Sequence, residues 1–376
     1  MAEIVFDLAT KVVAKDQVIW AVFPGRGRRM LDVFIASNCI FLEIPGIALA
    51  PGVLSDDKLL RQHVAMSDAI YDYRVGSSSA SVPSRRASTY AVKRGSSFSA
   101  AVGNVRNMYA RMKPGDLVVM GGRSLYQPIY IGEVETAFAP GDVIQINQFG
   151  TDEVPVRKVR WLDVDAQRRF LSERLSHLLS NRKAIISIPK DEFGDEVYKF
   201  AYGDYIFGED SRYVFAGPRY KNIATTIIPG IDLLSYFIAA YNADELGQMD
   251  KFRDLEIEPA IARYFKQETL YSFELDFASP GGYIVHAKKA ALALTVAVLV
   301  SATDGTMSYT EARAAAVTNS AYSTAQTLAP LPIPEKYRSI MENMGAGRYN
   351  ELVKKNKEAQ AGVGLRVRVK HHRRKA

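Results

Sequence analysis

The spacing of hydrophobic residues changes from helical to strand-like between residues 97 and 162. From 97 to 112, apolar side chains recur every three or four residues and predict a helix whose buried face carries Phe98, Val102, Val105, Tyr109 and Met112. The turn Pro114-Gly115-Asp116 precedes a continuous apolar run at 117–120, which predicts a buried strand. Further strands are predicted at 130–134, interrupted by Gly132, and at 156–162, where apolar and basic residues alternate. These elements predict the core of a small β-barrel.

The rest of the chain also mixes the two kinds of pattern. Before residue 97, the sequence predicts strands at 18–23 and 39–44 and helices at 30–36 and 59–69. After residue 165, it predicts a helix at 165–180, strands at 198–207, 213–216 and 271–277, and helices at 230–241, 259–265, 290–303 and 310–328. The predicted fold class is therefore α+β: an N-terminal barrel with flanking helices, followed by a mixed α+β domain.

Charge divides the chain differently from hydrophobicity. The formal net charge is +7, but residues 348–376 hold ten Lys and Arg against Glu351 and Glu358, so the other 347 residues carry a net charge of −1. A length of 376 residues suits more than one domain. We predict domains at 1–165 and 166–335 and a basic C-terminal tail at 336–376, which has the charge of an electrostatic arm.

Two features of the sequence predict a cytoplasmic protein. The only cysteine, Cys39, lies in an apolar run and excludes an intramolecular disulfide, and the N-terminal residues lack the pattern of a signal peptide. The uncharged segment 290–303 has fourteen residues, whereas a membrane helix needs about twenty. We interpret it as a buried core helix, which argues against membrane contact.

Four segments resemble the PUA-like or EVE-like domains at the N-terminus of modification-dependent restriction endonucleases and related bacterial defence proteins. They are the Trp-containing strand with its basic glycine loop at 20–29, the Gly-Asp turn at 112–119, Ile129–Val134 and Arg157–Trp161. They occur in the family's order and cover about residues 15–165. The resemblance implies a reader of nucleic acid, DNA or RNA, that accepts a flipped or unpaired nucleotide and can sense a modified base. Nothing similar is found for the C-terminal region.

Candidate nucleic-acid-binding residues combine aromatic rings with positive charge. The first group is Trp20 with Arg26, Arg28 and Arg29, whose glycine-spaced guanidinium groups suit a phosphate. The alternative is that Trp20 is a core residue and the arginines form a solvated turn. Further candidates are Asn104, Asn107, Tyr126 and Tyr130, together with the basic residues of the tail, Arg366, Arg368, Lys370, Arg373, Arg374 and Lys375.

No catalytic, metal or cofactor site is predicted, because the sequence lacks a Walker lysine motif, a nucleophile elbow and a His-Glu-x-x-His helix. The nuclease-like triplet Asp56-Asp57-Lys58 lies at a predicted helix start, where chance explains it better. The leading hypothesis is a nucleic-acid-binding, non-enzymatic protein of a restriction or anti-phage defence type. Two alternatives stay open: an oligomerising or membrane-acting effector that exposes 290–303, and a nuclease with a divergent site. A homo-oligomer and a separate effector partner are both compatible with the leading hypothesis.

Overall fold

A computed structural model describes residues 3–76, 81–162, 166–181, 183–218, 224–276, 281–320 and 331–374. The strands are β1 Glu3–Asp7, β2 Lys11–Val13, β3 Ile19–Val22, β4 Cys39–Ile40, β5 Leu117–Gly121, β6 Ile129–Val134, β7 Val143–Gln145, β8 Glu153–Pro155, β9 Arg157–Trp161, β10 Ile185–Ile188, β11 Tyr205–Phe207, β12 Asp210–Gly217, β13 Leu270–Asp276, β14 Gly281–Ala287, β15 Ala316–Thr318 and β16 Lys370–Arg374. The helices are α1 Leu31–Ala36, α2 Pro51–Ser55, α3 Asp57–Val75, α4 Ser96–Arg106, α5 Glu173–Leu178, α6 Lys190–Ala201, α7 Ile228–Glu245, α8 Met249–Arg253, α9 Ile257–Tyr264, α10 Leu292–Ala302, α11 Tyr309–Ala314 and α12 Ile333–Val363. The predicted α+β class is confirmed.

The chain forms two compact units. Asp16–Ala201 form one, here called the inner unit, and Met1–Lys15 with Tyr202–Ala376 form the other, here called the split unit. The predicted domain boundary lies near 165, and residues 163–165 are outside the described residues. The two units instead meet in the sequence at 15/16 and at 201/202. The segment from 166 to 201 belongs to the inner unit, where its strand β10 pairs antiparallel with β3.

The inner unit is organised by the strand order β10-β3-β5-β6-β9-β4. Strands β3 and β5 run parallel, and the other neighbours are antiparallel. The protein contains a curled sheet with the form of half a barrel, which is compatible with the predicted barrel without showing the PUA-like family. The predicted helix face packs into its core, since Phe98, Val102, Val105, Tyr109 and Met112 are all buried. The helix is regular to Arg106 and continues as one wider π-helical turn to Arg111.

Gly132 lies in the middle of β6, between β5 and β9, where it faces Val118 on one side and Trp161 on the other. A Cβ atom at this position would collide with Cγ1 of Val159 and lie 2.8 Å from Cε3 of Trp161. The glycine therefore permits the close approach of side chains from β9, as its position in the predicted strand suggested.

Replacing Gly132 with alanine is expected to lower the free energy of unfolding of the inner unit by about 1–3 kcal/mol, because overpacking displaces core side chains. Gly141→Ala is the matched control, since a Cβ there would have no neighbour within 4 Å. Urea denaturation followed by tryptophan fluorescence measures both variants, because Trp20 and Trp161, the two tryptophans of the chain, lie in this unit. Equal midpoints for the two variants would refute the packing argument.

The split unit contains two sheets. One has the strand order β13-β14-β12-β11-β2, and the other has β1 between β15 and β16.

The predicted strand at 198–207 is wrong in its first half. Residues up to Ala201 belong to α6, where Phe193 and Val197 are buried at helical spacing, and the strand begins at Tyr205.

The apolar segment predicted as a core helix is α10. Every residue of Leu292–Ala302 is buried, within a core that also contains Leu233, Phe237 and Tyr337. Among the residues described, no helix is both long enough and apolar enough to cross a membrane. The next predicted helix, 310–328, differs: it is helical over Tyr309–Ala314, extended at Ala316–Thr318, and otherwise lies partly outside the described residues.

The basic C-terminal region is part of the split unit. Residues 336–363 belong to α12, which bends at Gly345, and β16 pairs antiparallel with β1. Between them, Arg366 forms a backbone bridge with Ala216. The described part of the predicted tail therefore is not a free arm, because its backbone is hydrogen-bonded to residues far away in the sequence.

Candidate functional site

The inner unit has a cavity of about 650 Å³ at the loop that follows β3. It is lined by Phe23, Gly25, Arg26, Gly27, Arg28, Arg123 and Ala184, and is here called the arginine pocket. Two of the predicted residues, Arg26 and Arg28, therefore lie together. The structure adds Arg123, which the sequence did not single out.

The backbone conformation of this loop turns Arg26 towards the surface and Arg28 towards the interior. Gly25 and Gly27 have φ angles of 72° and 65°, in the left-handed region that favours glycine. A Cβ on Gly25 would collide with the carboxylate of Glu43, so another residue at this position would displace the Glu43 side chain. Arg28 itself has a φ of 59°, a strained conformation for a residue with a side chain. The turn directs the Arg28 side chain inwards, while Arg26 is exposed.

Arg28 is only 8% exposed. Its guanidinium donates hydrogen bonds to the carbonyl oxygen of Gly121 and, at 3.2 Å, to that of Leu179, and it lies over the ring of Phe23 at 5.0 Å. Burial lowers the pKa of Arg28, and the nearby positive charge of Arg168 lowers it further. Both of these acceptors are neutral carbonyls, so among the described residues no anion compensates the charge of Arg28.

Arg168 is the second buried cation and is also 8% exposed. It donates to the carbonyl oxygen of Ser176 at 2.6 Å and to the hydroxyls of Ser176, at 3.2 Å, and Ser180. Burial lowers the pKa of Arg168. A Cβ on Gly121 would lie 3.3 Å from Cδ of Arg168 and 3.7 Å from Nη1 of Arg28, so the two side chains flank the same backbone position.

Among the residues that the structure describes, neither Arg28 nor Arg168 has a carboxylate within ion-pair distance. Two neighbouring buried cations without an anion are costly, because like charges repel more strongly where water is excluded. A bound anion in the arginine pocket would compensate both charges. Arg26 and Arg123 could contribute from the surface, since the side chain of Arg123 is paired there with an exposed carboxylate, that of Asp32 at 3.5 Å.

No protein-family model, curated protein or solved structure matches this chain. The resemblance to PUA-like domains accordingly stays a prediction, and the function of the arginine pocket has to be argued from its own geometry.

Two members of the first predicted group lie elsewhere. Trp20 is 6% exposed, and its indole N–H donates to Oδ2 of Asp116 at 2.9 Å, so it is a core residue and its ring is covered. Arg29 forms an ion pair with Glu43 at 2.6 Å, and hydrogen bonds from Arg29 to Glu43 raise the pKa of the guanidinium. Its charge is thus already neutralised. The alternative interpretation of Trp20 describes this structure better than stacking on a base.

The lower-ranked candidates of the inner unit do not line the arginine pocket. Asn104 and Asn107 are half-buried, and Oδ1 of Asn107 accepts a hydrogen bond from Arg111 at 3.1 Å. Tyr130 is half-buried against the core. Tyr126, in contrast, is 72% exposed and has the guanidinium of Arg169 over its ring at 5.7 Å. Of the two tyrosines, Tyr126 is thus the one whose ring is exposed.

The predicted basic residues of the C-terminal region lie in the split unit. Arg366 lines a separate cavity of about 380 Å³, and Arg368 contacts the buried Asp204 at 3.5 Å. Lys370 is exposed, the backbones of Arg373 and Arg374 belong to β16, and Lys375 lies outside the described residues. These cations are therefore not a single disordered cluster, and Arg368 already has a carboxylate partner.

The nuclease-like triplet Asp56-Asp57-Lys58 lies at the start of α3. Asp56 caps α3 by accepting hydrogen bonds from the backbone N–H groups of Lys58 at 2.8 Å and Leu59 at 3.0 Å, and Asp57 pairs with Arg61 at 2.7 Å. The carboxylates of the nuclease-like triplet thus have structural partners. Within the described parts of the chain, no group of three or more His, Cys, Asp or Glu could hold a metal ion. Burial raises the pKa of the Cys39 thiol to about 11, which suits a core residue and not a nucleophile.

Proposed function

We propose that the inner unit binds nucleic acid by placing backbone phosphate in the arginine pocket. The observation that carries this proposal is the pair of buried arginines, Arg28 and Arg168, without a carboxylate among the described residues. Guanidinium groups bind phosphate through paired, charge-assisted hydrogen bonds. A polyanion supplies phosphates at regular spacing, so that Arg26 and Arg123 can engage at the surface while the buried pair attracts the nearest phosphate.

The pocket suits binding better than reaction. It offers cations, backbone and the ring of Phe23, and the described residues of its lining include no acid, histidine, cysteine or hydroxyl that could act as a base or nucleophile. Phosphate contacts fix position and carry little sequence information. Any preference for a particular or modified base therefore has to come from side chains next to the pocket.

The test is fluorescence anisotropy of the full chain with labelled DNA and RNA, using the double variant Arg26→Ala/Arg123→Ala. Both side chains are exposed, so the fold should persist. We expect the affinity to fall about 10-fold to 100-fold and the slope of log affinity against log salt to fall by roughly two, one for each lost phosphate contact. Including 5-methylcytosine and 5-hydroxymethylcytosine in the ligands tests for a modified-base preference in the same titrations.

The matched control is Arg86→Ala/Arg94→Ala. It removes the same charge from exposed positions of the inner unit that do not line the arginine pocket. If this control weakens binding as much as the pocket variant does, the affinity comes from net charge alone and the pocket proposal is wrong. An unmodified protein that binds neither DNA nor RNA at low salt also overturns it.

A further inference from the structure

Next to the arginine pocket, two segments of the inner unit are joined by backbone hydrogen bonds. The loop 122–128 connects β5 to β6, and residues 166–171 run alongside it. The N–H of Arg168 donates to the carbonyl of Gln127 at 3.0 Å, and the N–H of Arg169 donates to that of Leu125 at 2.9 Å. Pro128 and Gln167 form an antiparallel bridge. These bonds hold the side chains of both segments at fixed positions on the surface.

The joined segments carry three large exposed apolar side chains and one exposed cation, here together called the aromatic patch: Leu125, Tyr126, Phe170 and Arg169. Leu125 is 52% exposed, Tyr126 72% and Phe170 55%. The guanidinium of Arg169 lies 5.7 Å from the ring centre of Tyr126 and 4.9 Å from that of Phe170. Clustered exposed apolar side chains commonly mark a binding surface.

The aromatic patch adjoins the arginine pocket through the loop 122–128. Arg123, which lines the pocket, is three residues before Tyr126, and in the second segment Arg168, the buried neighbour of Arg28, immediately precedes Arg169. The surface therefore combines cations for phosphates with rings for flat apolar groups. Aromatic residues and arginine are enriched at protein interfaces too, so the adjoining cations of the arginine pocket are what favours nucleic acid as the ligand.

We propose that the aromatic patch stacks unpaired bases of single-stranded nucleic acid whose phosphates occupy the arginine pocket, an inference that rests on the function proposed above. In a duplex the base faces are covered by neighbouring bases, so exposed rings can stack only on bases that are unpaired. Every base has a flat face, and stacking on Tyr126 and Phe170 would therefore tolerate different sequences. The aromatic patch therefore favours single-stranded nucleic acid over a duplex as the ligand.

The experiment compares a labelled single-stranded 12-mer with the blunt-ended duplex that the same strand forms with its complement, using the full chain and the variant Tyr126→Ala/Phe170→Ala. Loss of two stacking contacts is expected to weaken single-strand binding about 10-fold to 100-fold and duplex binding by less than about 2-fold. The conservative variant Tyr126→Phe/Phe170→Tyr should keep single-strand affinity, because both rings remain. Tyr271→Ala is the matched control, since Tyr271 is 54% exposed, has Lys288 over its ring at 5.4 Å and belongs to the split unit.

The outcomes separate this inference from the one on which it depends. If the arginine variant weakens binding but the alanine variant of the patch binds single strands as well as the unmodified protein does, the patch proposal is overturned and the pocket stands. If neither ligand binds the unmodified protein, both proposals fail. Light scattering of the protein alone supplies a third result: a dimer that becomes monomeric in Tyr126→Ala/Phe170→Ala would make the patch a contact between two copies and overturn its role as a base platform.

Discussion

Replacing Asp116 with alanine is expected to destabilise the inner unit by about 3 kcal/mol, because it removes an acceptor that three donors share. The carboxylate is 2% exposed. It accepts hydrogen bonds at 2.9 Å from the indole N–H of Trp20 and from the backbone N–H groups of Val18 and Lys113. Without it, the buried indole N–H loses its partner, and the turn before β5 loses its side-chain hydrogen bond to the backbone of Val18, which precedes β3.

The control for this prediction is Asp16→Ala. Asp16 is 77% exposed and lies 3.7 Å from Lys113, so its removal deletes a carboxylate from the same region without disturbing a buried network. Exposed ion pairs contribute little to stability, and the unfolding midpoint should hardly change. Urea titration followed by tryptophan fluorescence compares the two variants, and an Asp116→Ala midpoint equal to that of Asp16→Ala would contradict the proposed role of the network.

The same residues show which parts of the fold were predictable. The turn Pro114-Gly115-Asp116, the buried strand after it and the helix before it depend on neighbours in the sequence, and all three occur as predicted. Gly132 was recognised from its position inside a strand pattern. Local periodicity is informative here because each element buries one face against the same core.

Long-range partners could not be predicted. The sequence gives no sign that Trp20 donates to Asp116, ninety-six residues away, or that Arg28 lies beside Arg168. The chain places Arg123 and Arg168 in unremarkable contexts, one after a glycine pair and one inside a predicted helix. Their importance appears only when the fold brings Arg123 into the pocket that Arg28 lines and Arg168 next to Arg28.

The sequence placed the positive charge correctly at residues 348–376, but the described part of this region is not a free arm. Ten cations after residue 347 suggested an arm, but α12 and β16 are integral to the split unit. Charge counting reports composition, whereas pairing depends on backbone partners that are distant in sequence. The register of β16 with β1, for example Ile4 opposite Arg373, joins the two ends of the chain.

That pairing leads to the largest effect that we expect. Deleting residues 1–15 should prevent the split unit from folding while the inner unit stays folded. Residues 1–15 supply β1, the central strand of its sheet, and β2, which pairs with β11. They also bury Ile4, Phe6, Leu8 and Val12 in the core. Each buried apolar side chain contributes about 1.5–3 kcal/mol, so the loss is roughly 6–12 kcal/mol, comparable with the total stability of a domain, about 5–15 kcal/mol.

Amide hydrogen exchange measures this prediction separately for each unit. In the deletion variant, α7 and α10 should lose protection, whereas β5 and β6 of the inner unit should keep it. Phe6→Ala is the graded control. Phe6 is fully buried and its ring centre lies 5.8 Å from that of Tyr337, so this variant should lower the free energy of unfolding by about 3–5 kcal/mol. The split unit should keep its fold in this variant only if its stability exceeds that loss. Adding the 1–15 segment back as a peptide should restore protection in α7 and α10. If instead both helices remain protected without residues 1–15, these residues are peripheral, and the split unit is a domain of 202–376 alone.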